Sequence, residues 1–184
     1  PVTPTASAAA QEPEGCLLFE NLVAPVTDGP AIYLLNSERC TDCIPMHIRR
    51  ADRSDAETLV AFNRAMAAET EDKSLNMDAL RSGVRALLLN EDKGFYLVAE
   101  REERIVGYLM ITMEWSDWRD GTFWWVQSVY VRPDARRQGV YTALYTEVKD
   151  QARAEPDVCG LRLYVEKDNA AARDAYRTLG MKET

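Results

Sequence analysis

The segment of this 184-residue chain with the most chemistry in it is VQSVYVRPDARRQGVYTALYTEV. Its β-branched and aromatic start, through Val129-Tyr130-Val131, reads as a buried strand. A polar loop follows, and Arg136-Arg137-Gln138-Gly139-Val140-Tyr141 opens a helix. Physically this is an anion site. A helix N-terminus presents unpaired N–H groups and the positive end of the dipole, a glycine lets backbone approach a ligand, and two arginines add charge suited to a pyrophosphate. The GxxxxGK[ST] spacing of a triphosphate loop is missing, and so is GxGxxG. An ordinary strand-to-helix turn carrying surface arginines is the competing reading, because helix starts attract anions in general.

Two other groupings carry reactive side chains. MEWSDWRDGTFWW interleaves the acids Glu114, Asp117 and Asp120 with Trp115, Trp118, Phe123, Trp124 and Trp125, a combination that suits a cationic or aromatic ligand through ring faces and carboxylates, and equally a core. Alternation along a strand sends Trp124 and Trp125 to opposite faces, so at least one is structural and Trp115 and Trp118 are the better pocket candidates. Cys40-Thr-Asp-Cys43, followed by His47, resembles half of a zinc site for which only Cys16 offers a fourth ligand. With a single CxxC and His47 in a strand pattern, the expectation is no metal. Cys159 lies on or beside a buried strand with no histidine nearby in sequence, and reads as packing.

The elements that must position these groups follow from periodicity. MHIRRA alternates as a strand, Asp52 to Asp55 signals a helix start, and 56–68 reads as a helix. A second helix spans 77–89 with Asn76 as its cap and Leu80, Val84, Leu87 and Leu88 at helical spacing. FYLVAERE and RIVGYLMITME form an antiparallel hairpin closed at Glu102-Glu103, and FWWVQSVYV is the next strand. A helix over 139–153, the strand CGLRLYVE and a helix over 169–179 complete the order. A strand and two helices, an antiparallel sheet, then strand-helix-strand-helix is an α+β order with one parallel crossover.

Composition bounds the function. With 46% hydrophobic and 28% charged residues the chain supports one sizeable core. The net charge of −8 argues against nucleic acid, which needs a clustered basic surface. No apolar run reaches the roughly 20 residues of a membrane-spanning helix. Four unevenly placed cysteines point to a reducing, cytoplasmic setting. Residue 1 is proline and no secretory signal is visible, so a signal has been removed or the chain is a fragment. Residues 1–45 hold six acids and one base, −5 of the total −8. They read as an N-terminal extension, flexible over its first fifteen residues, whose CLLFENLVAP and AIYLLN stretches are accessory strands, part of a neighbouring domain, or sequence upstream of a start at Met46.

The strand, the turn Arg-x-x-Gly-x, the helix, a further strand, and a last helix reading Asn169-x-x-Ala172-x-x-x-Tyr176-x-x-x-Gly180-Met181 together resemble the GCN5-related N-acetyltransferase (GNAT) superfamily over 46–184. The resemblance implies a three-layer α+β fold with a central mixed, mostly antiparallel sheet, and transfer of an acetyl group from acetyl-CoA to a primary amine by direct attack, with no metal. It implies that the backbone of Val129, Tyr130 and Val131 pairs with the pantetheine arm, that Arg136, Arg137, Gln138, Gly139, Val140 and Tyr141 hold the pyrophosphate, and that Asn169 contacts the co-substrate. Tyr176 then faces the sulfur as general acid. Tyr141 departs from the family's usual small residue. Gln127 and Ser128 stand where many relatives place a glutamate, so the base is sought among Glu114, Asp117 and Asp120, which otherwise form a solvated acidic turn. Glu114 is the first choice because it extends the strand register, with Trp115, Asp117, Trp118 and Gln127 toward the acceptor. The partner expected is a small cationic amine, and the sequence allows a homodimer. The chain stops where the family continues into closing strands, so a fragment with an uncovered sheet edge is expected. A non-catalytic acyl-CoA sensor is the alternative.

Overall fold

The computed structural model describes residues 15–22, 45–71 and 74–184. Its strands are β1 (Cys16–Leu22), β2 (His47–Arg50), β3 (Phe95–Arg101), β4 (Arg104–Ser116), β5 (Gly121–Val131), β6 (Val158–Glu166) and β7 (Lys182–Glu183). Its helices are α1 (Ala56–Glu71), α2 (Met77–Leu89), α3 (Val140–Ala154) and α4 (Ala170–Thr178). The strands form one sheet in the order β2-β3-β4-β5-β6-β1-β7. All neighbours are antiparallel except β5 and β6, which run parallel because α3 carries the chain over between them.

The apolar alternation of the strands sorts into two cores, one on each face. Leu97, Leu109, Ile111, Trp124, Leu161 and Leu163 pack with Val140, Leu144 and Val148 of α3. Tyr96, Val98, Tyr108 and Tyr130 pack on the other face with Leu59 and Val60 of α1 and Val84 and Leu87 of α2. The result is the three-layer α+β arrangement expected. Asn76 caps α2, its side chain accepting from the N–H groups of Asp78 and Ala79. The β3–β4 hairpin turns on Glu102 and Glu103, both with positive φ, the primed-turn geometry that matches strand twist.

Of the three readings the sequence left open for CLLFENLVAP, the structure has the accessory strand, since Cys16–Leu22 is one of the inner strands of the sheet. β1 pairs with β6 over seven positions, from Cys16 opposite Glu166 to Leu22 opposite Gly160, and β7 pairs with its other side. β1 therefore covers the edge of β6 that faces away from β5, and Phe19 is fully buried in the α3-side core. The stretches AIYLLN and Cys40-Thr-Asp-Cys43 lie outside the described residues. Among the described residues no cluster of three or more metal-ligating side chains occurs, and Cys16 and Cys159 are free thiols. No helix among them is long and apolar enough to cross a membrane.

The start of α1 is locked to the sheet by one ionic cluster. Asp55 is buried, closes a capping box with Asp52, and accepts 2.7 and 3.0 Å bonds from Arg49 of β2, which also donates to Glu100 of β3 at 2.6 Å. The two carboxylates push the Arg49 guanidinium above its ordinary pKa, so it stays charged. Removing Asp55 takes one of the two carboxylates from Arg49 and the acceptor from the Asp52 N–H. Asp55→Ala is expected to lower stability by about 3 kcal/mol, read as a fall in the urea midpoint at unchanged slope.

Candidate active site

The site begins where β5 and β6 part. They pair from Thr122 opposite Val158 to Trp125 opposite Arg162, and beyond that point Val126–Val131 pair only with β4 among the described strands. The 126–131 stretch therefore offers backbone N–H and C=O groups along one edge, which must find partners elsewhere. Two bulges flank the parting. Met110 faces Ser128 while Ile111 faces Val126, so Gln127 is the extra residue in β5, and Thr122 faces Val158 while Phe123 faces Gly160, so Cys159 is the extra residue in β6. Bulges bend a strand and increase its twist, which swings the two strands away from each other.

The polar loop expected after β5 contains a single 3-10 turn, Pro133–Ala135, and then enters α3. Arg137 and Gly139 both take left-handed backbone, at φ 60 and 77°. Gly139 is the N-cap, and nothing lies within 4 Å of where its side chain would begin, so the space over the helix start is open. Helix geometry leaves the N–H groups of Val140, Tyr141 and Thr142 without acceptors inside α3. Arg101 at the end of β3 fixes the turn by donating to both the side-chain (2.5 Å) and main-chain (2.9 Å) oxygens of Gln138. This cradle fits an extended ligand that carries a diphosphate.

The two arginines do different things. Arg136 donates from Nε to the Val131 carbonyl at 2.9 Å, pairs with Glu69 of α1, and lies over the Tyr130 ring at 5.6 Å. Tyr130 Oη donates to the same Glu69 at 2.9 Å. Arg136 and Tyr130 hold the Glu69 carboxyl below its usual range, and Glu69 raises Arg136 in return. The Arg136 side chain thus ties α1 to the end of β5. Arg137 is exposed at the turn.

Across the opening, α4 presents Tyr176. Its ring is edge-on to Phe19 of β1 and to Tyr141 of α3, each at 5.8 Å between centroids. Burial pushes its hydroxyl above the ordinary tyrosine value, so it is protonated at neutral pH. Tyr141 stacks toward Tyr145 at 6.1 Å, and its own hydroxyl is buried without a hydrogen-bond partner and pushed well up by that burial. Asn169 is the cap of α4, accepting from the Ala172 N–H at 3.1 Å.

On the α1–α2 face of the sheet, beside the parting, Glu114 accepts from Trp125 Nε1 at 2.6 Å and faces Arg162 at 3.6 Å. Arg162 lies flat on Phe123, 3.4 Å from the ring centroid, and is held by Glu20 of β1 at 3.2 Å. Trp125 also packs against Tyr164 at 5.0 Å. Gln127, on its bulge, donates to Thr112 Oγ1 at 2.9 Å. Glu114, Trp125 and Gln127 are thus brought together, whereas Trp115 and Trp118 stand 63 and 92% exposed near the tip of the β4–β5 hairpin. Trp124 is buried against Phe95 on the opposite face, as alternation requires. Arg162, Glu20 and Phe19 were not found by sequence reasoning, because each acquires its place only through pairing on β6, with β5 for Arg162 and with β1 for Glu20 and Phe19. A second concavity of about 300 Å³, framed by Arg53, Glu57, Arg85 and Leu89, lies at the end of α1 opposite Glu69 and touches none of these groups.

The acetyltransferase (GNAT) family model matches residues 57–181, about two thirds of the chain. A possible acetyltransferase from Clostridium difficile 630 is similar in structure, with a TM-score of 0.71, 45% identity, and coverage of 76% of this chain and 91% of that one. More distant likenesses, which speak to the fold alone, include the aminoglycoside acetyltransferase meta-AAC0020 from an uncultured soil metagenomic sample, in complex with sisomicin (TM-score 0.59, 22% identity, covering 72% of this chain and 86% of that one). Another is the aminoglycoside N-acetyltransferase AAC(6')-Iy in complex with CoA (TM-score 0.63, 16% identity, 79% and 93%). No curated protein matches the chain. The family model and the 45%-identical relative agree with the parted strands and the turn before α3: the chain belongs to the GNAT acetyltransferase family and is an N-acetyltransferase.

Proposed function

We propose that the chain transfers the acetyl group of acetyl-CoA to a primary amine on a small cationic acceptor, with both substrates bound together. The parting of β5 from β6 carries this reading. An amide-bearing pantetheine arm completes the free edge at Val129, Tyr130 and Val131 as an added strand would, and its diphosphate meets the N–H groups of the turn from Gln138 to Tyr141. The thioester then lies at the opening, between Tyr176 on one side of the sheet and Glu114 on the other.

The reaction needs a neutral amine, so a proton must leave the ammonium. Glu114 is the candidate acceptor of that proton, since Gln127 cannot take one. The amine nitrogen forms a bond to the thioester carbon, the oxyanion is stabilised by strand N–H groups, and the carbon–sulfur bond breaks as Tyr176 gives its proton to the departing thiolate. One feature supports a cationic acceptor: the carboxylate of Glu114 and the ring of Trp125 side by side on the open face. A cytoplasmic setting belongs to the same proposal, supported by the free thiols of Cys16 and Cys159.

Calorimetry on the whole chain should give saturable acetyl-CoA binding that weakens at least about tenfold in Gly139→Glu, where a carboxylate enters the diphosphate cradle. Unchanged binding in that variant would sink the cradle assignment. With an amine that supports thiol release, Tyr176→Phe and Glu114→Gln should each lower kcat by about 100-fold. Binding without release of thiol from any amine would favour a sensor over an enzyme acting by this route.

A further inference from the structure

We infer that β1 is an active-site element and that Phe19 is a positioning residue for Tyr176. This rests on the reading of Tyr176 as the general acid.

Among the described residues none hydrogen-bonds the Tyr176 hydroxyl, so its direction is set by packing alone. Two of the rings that set it are Tyr141 of α3 and Phe19 of β1, both edge-on at 5.8 Å. Edge-to-face pairs are directional, because the positive rim of one ring seeks the negative face of the other. Phe19 has no exposed surface and pairs opposite Leu163 on β6, so it cannot yield without disturbing the strand beside the opening. β1 also grips the other helix: Asn21 Nδ2 donates to Tyr145 Oη at 3.2 Å, and Tyr145 packs on Tyr141. Phe19 and Asn21, alternate residues on one face of one strand, therefore hold the aromatic group formed by α3 and α4 from beneath. An acid that must meet a departing sulfur within hydrogen-bond reach loses efficiency when its ring can swing, and this loss falls on kcat rather than on co-substrate binding, which uses the β5 edge and the α3 turn.

The test is a double-mutant cycle on the whole chain. Phe19→Leu keeps an apolar side chain in the core and removes the ring edge, and Phe19→Met does so with a more adaptable side chain should the leucine variant fail to fold. Leu18→Ala, on the opposite face of the same strand, controls for general weakening of β1. The expected result is a roughly tenfold fall in kcat for Phe19→Leu with acetyl-CoA KM within about twofold of the parent. No further fall should occur when Phe19→Leu is added to Tyr176→Phe, and Leu18→Ala should lower the melting temperature without lowering kcat. A fall in kcat that persists in the Tyr176→Phe background, an unchanged kcat in Phe19→Leu, or an equal fall in Leu18→Ala would each overturn the inference. Full activity of Tyr176→Phe alone would instead overturn the acid assignment on which it rests.

Discussion

Everything in the site depends on a limit to pairing between two parallel strands. β5 and β6 share only the span from Thr122 to Trp125 before they separate, although both continue for several residues. An unpaired strand edge inside a folded protein is costly, since each buried amide or carbonyl left without a partner forfeits a hydrogen bond worth roughly 1–3 kcal/mol when desolvated. The fold bears this from Val126 up to the Val131 carbonyl, which Arg136 Nε meets, because bulges at Gln127 and Cys159 turn the strands apart. The Arg162 guanidinium laid on Phe123 and the packing of Trp125 on Tyr164 then fill the base of the opening. An edge kept open by specific side chains is a binding surface for something with the hydrogen-bonding pattern of a strand.

The groups around the opening are each anchored from a different element. Arg136 and Tyr130 converge on Glu69, joining the end of α1 to β5. Arg101 holds Gln138, joining β3 to the turn before α3, and Arg162 joins β6 to β1 through Glu20 and to β4 through Glu114. None of these surface or half-buried ion pairs is worth much alone. Their effect is positional, fixing the turn and the opening relative to one another, which is what a reaction between two bound substrates requires.

Most of the architecture was legible in the sequence because its signals are local. The alternation in MHIRRA, the cap at Asn76 and the strand-turn-helix around Gly139 are each written within a dozen residues. The same holds for Trp124 and Trp125, whose opposite faces follow from the two-residue period of a strand. What was not legible depends on pairing between distant segments. CLLFENL has the pattern of a strand, but nothing in it announces a partner some 145 positions away on β6, so Phe19 beside Tyr176 and Glu20 beside Arg162 could not be foreseen. The role of the Arg136 side chain was equally hidden, since Glu69 reaches it from the far end of α1. Bulges belong to the same class: Gln127 stands in an ordinary alternating run, and only the register against β4 shows that it is the extra residue.

The central claim is that acetyl-CoA binds as an added strand on β5 with its diphosphate on the turn before α3. Amide hydrogen exchange with and without acetyl-CoA tests it at the atoms concerned. The account predicts new protection confined to 127–131 and to 138–142, with β2 and β3 unchanged. Binding that leaves exchange at both of those segments unaltered would contradict it.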